Sequence, residues 1–137
     1  MSDDSGEIVV VDDSYLILDR IRERLSAEGY NVRITTGQGA AVKLVQHADL
    51  AIIDFHMPGV DGAEMLSALR QSHPDASCLY YLYTSDRAVA TRYQQLGFDG
   101  AFLRKGEEAA LVSQVGAVFR TIRMRKLAKK LRDERGR

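Results

Sequence analysis

The sequence predicts an α/β protein in which helices cover both faces of a doubly wound, five-stranded parallel sheet. Over its 137 residues, short apolar runs alternate five times with amphipathic stretches, and strands that alternate with helices form parallel sheets. Residues 8–11 and 50–53 are apolar at every position, as expected of central strands that are buried on both faces. A chain of this length forms one domain with a substantial core.

The elements follow one another without a repeat or a low-complexity tract. Strands are predicted at residues 7–11, 31–35, 50–53, 78–83 and 101–103. Helices are predicted at residues 16–28, 39–47, 63–72 and 87–96, with a last helix from near 107 into the low 130s. The first helix illustrates the pattern, because Leu18, Ile21 and Leu25 share one face and Gly29 ends it.

The composition is that of a soluble protein, and the lone cysteine excludes an internal disulfide. No apolar run approaches the roughly 20 residues of a membrane-spanning helix. The first residues are acidic and polar, unlike a secretory signal, so a cytoplasmic location without membrane attachment is expected. Cys78 begins an apolar run, which predicts a buried, inert thiol.

The net charge of zero conceals two parts of opposite charge. Residues 1–119 carry ten Lys and Arg against 17 Asp and Glu, a balance of −7, whereas residues 120–137 carry nine against two, a balance of +7. Such an asymmetry predicts an acidic body and a basic appendage with separate roles.

Polar and charged residues follow the predicted strands at one edge of the sheet. Asp12 and Asp13 follow the first strand, Asp54 the third, Thr84 the fourth and Lys105 the fifth. Doubly wound sheets bind ligands outside the carboxyl ends of their strands. Carboxylates gathered there repel one another, and Mg²⁺, which prefers oxygen ligands, would offset that repulsion. A lysine and a hydroxyl could then hold phosphate oxygens.

Five motifs resemble the receiver domain of two-component response regulators, the CheY-like family. They are VVVDDS at residues 9–14, IDFHMPGVDG at 53–62, YTS at 83–85, GFDGA at 97–101 and FLRK at 102–105. The resemblance implies a CheY-like (flavodoxin-like) fold with strand order 2-1-3-4-5 and a last helix extended past the domain. The corresponding division is a disordered acidic N-terminus at 1–6, a receiver domain at 7–122 and a basic helical extension at 123–137.

The resemblance also implies roles for the residues at the strand ends. Asp54 resembles the phosphoacceptor, which takes a phosphoryl group from a histidine kinase or phosphotransfer protein in a bacterial two-component phosphorelay. Asp13 resembles the direct Mg²⁺ ligand and Asp12 the ligand that acts chiefly through water, while Asp54 and the backbone carbonyl of His56 complete the set. Lys105 resembles the lysine that pairs with the phosphoryl oxygens.

Further residues match the switch and its modulators. Thr84 resembles the switch hydroxyl, and Phe102 occupies the switch aromatic position, so its ring is expected to turn inward into space vacated by Thr84. This change would alter the face formed by the fourth helix, fifth strand and fifth helix, and output would pass by contact to a downstream protein. His56, Ser85 and Asp86 are expected to modulate the lifetime of the phosphoryl group. The protein would catalyse only its own phosphorylation and dephosphorylation.

The sequence departs from the family pattern at two positions. Gly106 follows Lys105 where the family usually has proline after a cis peptide bond, so a more flexible loop and a less well-defined Lys105 are expected. Phe102 lacks the hydroxyl of the commoner tyrosine, which removes any readout through that group.

Three other functions are alternatives to the phosphorylated switch. An unphosphorylated scaffold is disfavoured by the intact acidic cluster, although Gly106 keeps it open. A metal-dependent phosphatase acting on free substrates would carry an Asp-x-Asp signature and an inserted cap, which the sequence lacks. A flavodoxin-like cofactor binder would need a Ser/Thr- and Gly-rich loop after the first strand, where Asp12 and Asp13 would repel an anion.

The basic tail admits three interpretations. Met124, Leu127 and Leu131 continue an imperfect helical stripe from the domain. The tail is either a solvated overhang of the last helix, a dimerising helix or connector to an output domain, or a surface for an acidic partner or nucleic acid. No DNA-reading motif accompanies the charge, so a nucleic-acid partner is disfavoured.

Overall fold

The computed structural model describes residues 6–136. The expected disorder of residues 1–6 therefore falls almost wholly outside the described residues. Gly6 is described and is buried, and its carbonyl accepts a 2.9 Å hydrogen bond from the Asn31 N–H.

A parallel five-stranded sheet in the order β2-β1-β3-β4-β5 forms the centre of the molecule, which confirms the expected fold. The strands are β1 (Glu7–Val11), β2 (Asn31–Thr35), β3 (Leu50–Ile53), β4 (Leu79–Tyr83) and β5 (Gly100–Phe102). The helices are α1 (Tyr15–Ala27), α2 (Gln38–Leu44), α3 (Gly62–Ser72), α4 (Arg87–Thr91) and α5 (Glu108–Arg135). A short 3₁₀ helix (Val45–His47) follows α2.

Alternate residues of each central strand supply two separate apolar cores. Val9 and Val11 of β1 face the core completed by α2, α3 and α4, whereas Ile8 and Val10 face the core completed by α1 and α5. Every residue of β3 is buried, because helices cover both faces of the sheet. The buried, fully apolar strands hold the ends of β1 and β3 rigidly side by side. Cys78 is buried as expected, and burial raises the pKa of its thiol to about 12.

The fourth helix is shorter than predicted. The sequence indicated a helix at residues 87–96, but α4 ends at Thr91 and the chain continues in turns to Gly97. The Thr91 hydroxyl donates a 2.8 Å hydrogen bond to the Arg87 carbonyl, and threonine side chains that bond to the preceding turn compete with helix continuation. The side chains of Tyr93 and Leu96 pack against the core from these turns.

The last helix, α5, extends well beyond the sheet. Its buried residues end at Phe119, and every residue from 123 to 136 is exposed. The Lys126 ammonium lies 3.4 Å from an Asp49 carboxylate oxygen, and Asp49 precedes β3, so the extension leaves the domain at the amino-terminal edge of the sheet. Across residues 6–136, no helix has the length and apolar character needed to cross a membrane.

Candidate functional site

Four strands deliver polar side chains to the carboxyl edge of the sheet. Asp12 follows β1, Asp54 follows β3 and Thr84 follows β4, and these three are the buried polar residues in the described part of the chain, at 2%, 6% and 6% exposure. Lys105 reaches the same point from the loop after β5. Buried polar groups are costly without partners, so their convergence at one point indicates a site.

The Lys105 ammonium bridges two of the carboxylates. Its Nζ donates 2.9 Å hydrogen bonds to Asp12 Oδ2 and Asp54 Oδ1, and all three side chains are largely shielded from water. Burial by itself lowers the pKa of Lys105, but its hydrogen bonds and charge interactions with Asp54 and Asp12 outweigh that effect and raise it. Lys105 is therefore a fixed positive charge at this site.

The surroundings of the Asp54 carboxyl group disfavour its ionised form. Burial raises its pKa above the usual 3.8, and Lys105 lowers it only in part, while the negative charges of Asp12 and Asp13 raise it further. One ammonium thus compensates incompletely for three carboxylates. The arrangement favours a further positive charge beside Asp54.

The three carboxylates fit a hard divalent cation. Ligand oxygens of Asp12, Asp13 and Asp54 lie within 4.8 Å of one another, and Asp13 is exposed while the other two are buried. The backbone N–H of Ser14 donates a 3.0 Å hydrogen bond to Asp12 Oδ1, which orients that carboxylate. Oxygen ligands with an open, solvent-facing side suit Mg²⁺.

The Thr84 hydroxyl lies at the start of the loop that leads into α4. Its oxygen accepts a 3.1 Å hydrogen bond from the Asp86 N–H, and Asp86 in turn caps α4 by accepting from the N–H groups of Ala88 and Val89. Thr84, exposed Ser85 and Lys105 line a cleft of about 640 Å³. A movement of Thr84 is thereby coupled to the first turn of α4.

Most of the chain matches a known protein family. The family model described as "Response regulator receiver domain" matches residues 8–116. The chain belongs to this family. It is a receiver domain homologous to response regulators.

Individual relatives give the extent of the likeness. The transcriptional regulatory protein DegU of Brevibacillus brevis is 28% identical over 116 residues, which cover 82% of this chain and 49% of that protein. A cyclic di-GMP phosphodiesterase of Thermotoga maritima is 25% identical over 134 residues, covering 90% of this chain and 36% of that protein. The chain therefore spans half or less of the length of these relatives.

Solved receiver structures show the same fold. The chemotaxis response regulator CheY4 of Vibrio cholerae superposes with a TM-score of 0.70 at 22% identity, covering 83% of this chain and 98% of that one. The response regulator TrrA of Thermotoga maritima, solved in complex with Mg²⁺ and BeF, superposes with a TM-score of 0.68 at 25% identity, covering 82% and 97%. The TrrA structure holds Mg²⁺, a hard cation of the kind that the grouped oxygens of Asp12, Asp13 and Asp54 suit.

An exposed histidine and a carboxylate meet at the rim of the receiver domain's site. His56 Nε2 lies 3.2 Å from Asp86 Oδ2, joining the loop after β3 to the loop after β4. The hydrogen bond to His56 is the main cause that lowers the pKa of Asp86. Both residues were singled out from the sequence as modulators, and the structure brings them into contact with each other.

The Phe102 ring is already turned inward. It is 2% exposed and stacks on Tyr81 with 4.6 Å between ring centroids. It packs in the α1/α5 core, so in this structure its burial does not depend on a displaced Thr84. The expected inward rotation of this ring is therefore not needed to bury it.

Two residues of the receiver domain, Tyr83 and Gln114, make contacts near the site that were not predicted from the sequence. The Tyr83 hydroxyl accepts a 3.3 Å hydrogen bond from the Gly106 N–H, and the Tyr83 ring centroid lies 5.7 Å from Lys105 Nζ. The Gln114 side chain bonds both the N–H and the carbonyl of Leu103, at 2.8 and 3.0 Å. Tyr83 ends an apolar strand directly before Thr84, and that position was the available clue.

Proposed function

We propose that this receiver domain is a phosphorylation-dependent signalling switch whose phosphoacceptor is Asp54. The observation that carries the proposal is the buried Asp54 carboxylate, which shares the Lys105 ammonium with Asp12 and has an oxygen within 4.8 Å of oxygens of Asp12 and Asp13. A carboxylate nucleophile needs positive charge around the oxygens of the group it attacks. Lys105 supplies one such charge from this chain.

The residues divide the chemistry among them. An Asp54 oxygen would attack the phosphorus of a phosphohistidine, forming a P–O bond as the P–N bond breaks and the imidazole leaves. Lys105 would hold the phosphoryl oxygens by charge-assisted hydrogen bonds. Mg²⁺, when bound by Asp12, Asp13, Asp54 and the His56 carbonyl, would neutralise charge on the transferring group. The protein's own catalysis would be confined to gain and loss of this one group.

The readout would pass through α4. Thr84 would turn its hydroxyl toward the new dianion and release the Asp86 N–H that it now accepts. Because Asp86 caps α4, this local event would reach the face made by α4, β5 and α5. Phe102, at the switch aromatic position of β5, already packs inward, so its ring would not have to rotate. Ser85, which lines the cleft, and the His56–Asp86 pair, which joins the loops after β3 and β4, would modulate the lifetime of the phosphoryl group.

The proposed partners follow from this chemistry. The donor would be a sensor histidine kinase or phosphotransfer protein in the cytoplasm, and the target a protein that binds the α4–β5–α5 face. We place the receiver domain at residues 7–122 and a basic helical extension at 123–137. The extension leaves the domain at the edge opposite the site, so it would act in dimerisation or connection rather than in phosphoryl transfer.

Intact-mass measurement with acetyl phosphate tests the proposal. Wild-type protein should gain one phosphoryl group in the presence of Mg²⁺ and none when the ion is chelated, and Asp54→Asn should gain none. Asp75→Asn, at an exposed position, is the matched control and should behave as wild type. If neither acetyl phosphate nor a histidine kinase phosphorylated the wild type, the proposal of a switch would give way to that of an unphosphorylated scaffold.

A further inference from the structure

We propose that Tyr83 is a positioning residue for Lys105. The inference rests on the proposed function, because the position of Lys105 matters only where its ammonium meets a phosphoryl group. The Tyr83 hydroxyl accepts the Gly106 N–H at 3.3 Å, and the Tyr83 ring lies 5.7 Å from the ammonium, within the range of a cation–π contact. One side chain therefore contacts Lys105 and the residue that follows it.

The loop that carries Lys105 needs such support. Lys105 lies between two residues with positive φ, Arg104 at 63° and Gly106 at 100°, and the conformation of Arg104 is an uncommon one for a non-glycine residue. Gln114 fixes the loop's start at the Leu103 backbone. Gly106 follows Lys105 in sequence, and its N–H, a donor that a proline would lack, is held by the Tyr83 hydroxyl.

Tyr83 itself is rigidly placed. It is 3% exposed and is paired in register with Phe102 across the β4–β5 ladder. A lysine, by contrast, is a point charge on a flexible stem whose position depends on its contacts. The contacts of Lys105 with Asp12 and Asp54 involve the groups that phosphorylation changes, whereas its contact with Tyr83 does not. The tyrosine would therefore hold the loop in the same place before and after transfer.

Tyr83→Phe is the direct test, since it removes the hydroxyl and keeps the ring. With acetyl phosphate, its phosphorylation rate should fall about three- to tenfold, the factor that one net hydrogen bond corresponds to. The affinity for Mg²⁺ alone should change less than about twofold, because Tyr83 has no contact with the carboxylates among the hydrogen bonds of the described residues. Hydrogen exchange of the Gly106 amide should become faster.

Two further variants separate positioning from a general loss of stability. Tyr80→Phe on the same strand removes a buried hydroxyl that has no hydrogen-bond partner among the described residues, and its phosphorylation rate should equal that of wild type. Gly106→Ala keeps the N–H and meets open space, but it strains the positive φ. It should slow phosphorylation, and its combination with Tyr83→Phe should be less than additive.

The outcomes are distinct. If the wild type is phosphorylated and Tyr83→Phe matches it both in phosphorylation rate and in hydrogen exchange of the Gly106 amide, the positioning role is overturned. The proposed function would then remain intact. Fully additive effects of the two variants, or an equal loss of Mg²⁺ affinity, would also overturn the positioning role. A wild type that accepts no phosphoryl group from any donor would overturn the proposed function, and this inference with it.

Discussion

Lys105 Nζ lies 2.9 Å from Asp54 Oδ1 and ties the loop after β5 to the end of β3. The same ammonium lies 2.9 Å from Asp12 Oδ2. The single Lys105 ammonium therefore pairs with two buried carboxylates, and the exposed carboxylate of Asp13 lies beside them. This relationship makes the site receptive to a divalent cation, and it also places Lys105 in competition with that cation.

Replacing the ammonium should strengthen metal binding while weakening phosphorylation. In Lys105→Met, the positive charge that repels Mg²⁺ is lost and the side-chain volume is largely kept. We expect the affinity for Mg²⁺ to rise about tenfold, or roughly 1.4 kcal/mol, while phosphorylation by acetyl phosphate falls by a factor of about 100 or more. Calorimetric titration with Mg²⁺ and intact-mass kinetics measure the two effects. Exposed Lys43→Met is the control, and weaker Mg²⁺ binding by Lys105→Met would contradict the competition.

Asp54→Asn should stabilise the metal-free protein, increasingly so as the pH rises. Burial raises the folded-state pKa of Asp54 above 3.8, so the unfolded chain ionises first when the pH is increased. The wild type then loses stability between pH 3.8 and the raised pKa, and the Asn variant does not. Thermal unfolding in EDTA from pH 3.5 to about 7.5 should show a growing difference in Tm. A difference that shrinks with pH would show that Lys105 outweighs burial.

The sheet and the acidic site followed from local patterns in the sequence. Fully apolar runs predicted the central strands β1 and β3. The polar and charged residues that directly follow the strands predicted which side chains would lie close together. Asp12, Asp54 and Lys105 do meet, because the carboxyl ends of parallel strands lie at one edge of the sheet. These features depend on the order of residues along the chain, which the sequence displays directly.

The features that escaped prediction depend on tertiary contacts. A helix was predicted as far as Leu96, but the residues after Thr91 form turns that present Tyr93 and Leu96 to the core. The buried Phe102 ring depends on stacking against Tyr81 of the neighbouring strand, and the loop that carries Lys105 depends on the hydrogen bond from the Gly106 N–H to a hydroxyl 23 residues earlier in the chain. Contacts of this kind leave no periodic mark in the sequence.

Arg104→Gly should stabilise the receiver domain. Among the described non-glycine residues, Arg104 is the one with positive φ, at 63°, and glycine removes the associated penalty of about 1 kcal/mol. The exposed contact of Arg104 with Glu107 at 3.8 Å contributes little. Urea unfolding should show a gain of about 0.5 kcal/mol once the greater flexibility of the unfolded chain is included. Arg104→Ala, which loses the contact but keeps the unfavourable φ, should show no gain, and an equal gain in both would refute the backbone explanation.

The His56–Asp86 contact should act as one unit in setting the lifetime of the phosphoryl group. The contact spans the rim between the loops after β3 and β4 at 3.2 Å, beside the approach of a water molecule to a phosphorylated Asp54. His56→Ala and Asp86→Ala should each open this approach and raise the dephosphorylation rate by a similar factor, about two- to fivefold, as expected for the loss of an exposed pair. The double variant should change it by no more than either single variant, since residues that share one interaction are not additive. Intact-mass measurements over time give the dephosphorylation rates of the wild type, the two single variants and the double variant.

Asp86 also caps α4, so Asp86→Asn, which retains an oxygen for the cap, serves as the companion variant. Multiplicative effects of His56→Ala and Asp86→Asn on the dephosphorylation rate would show that the two side chains act separately.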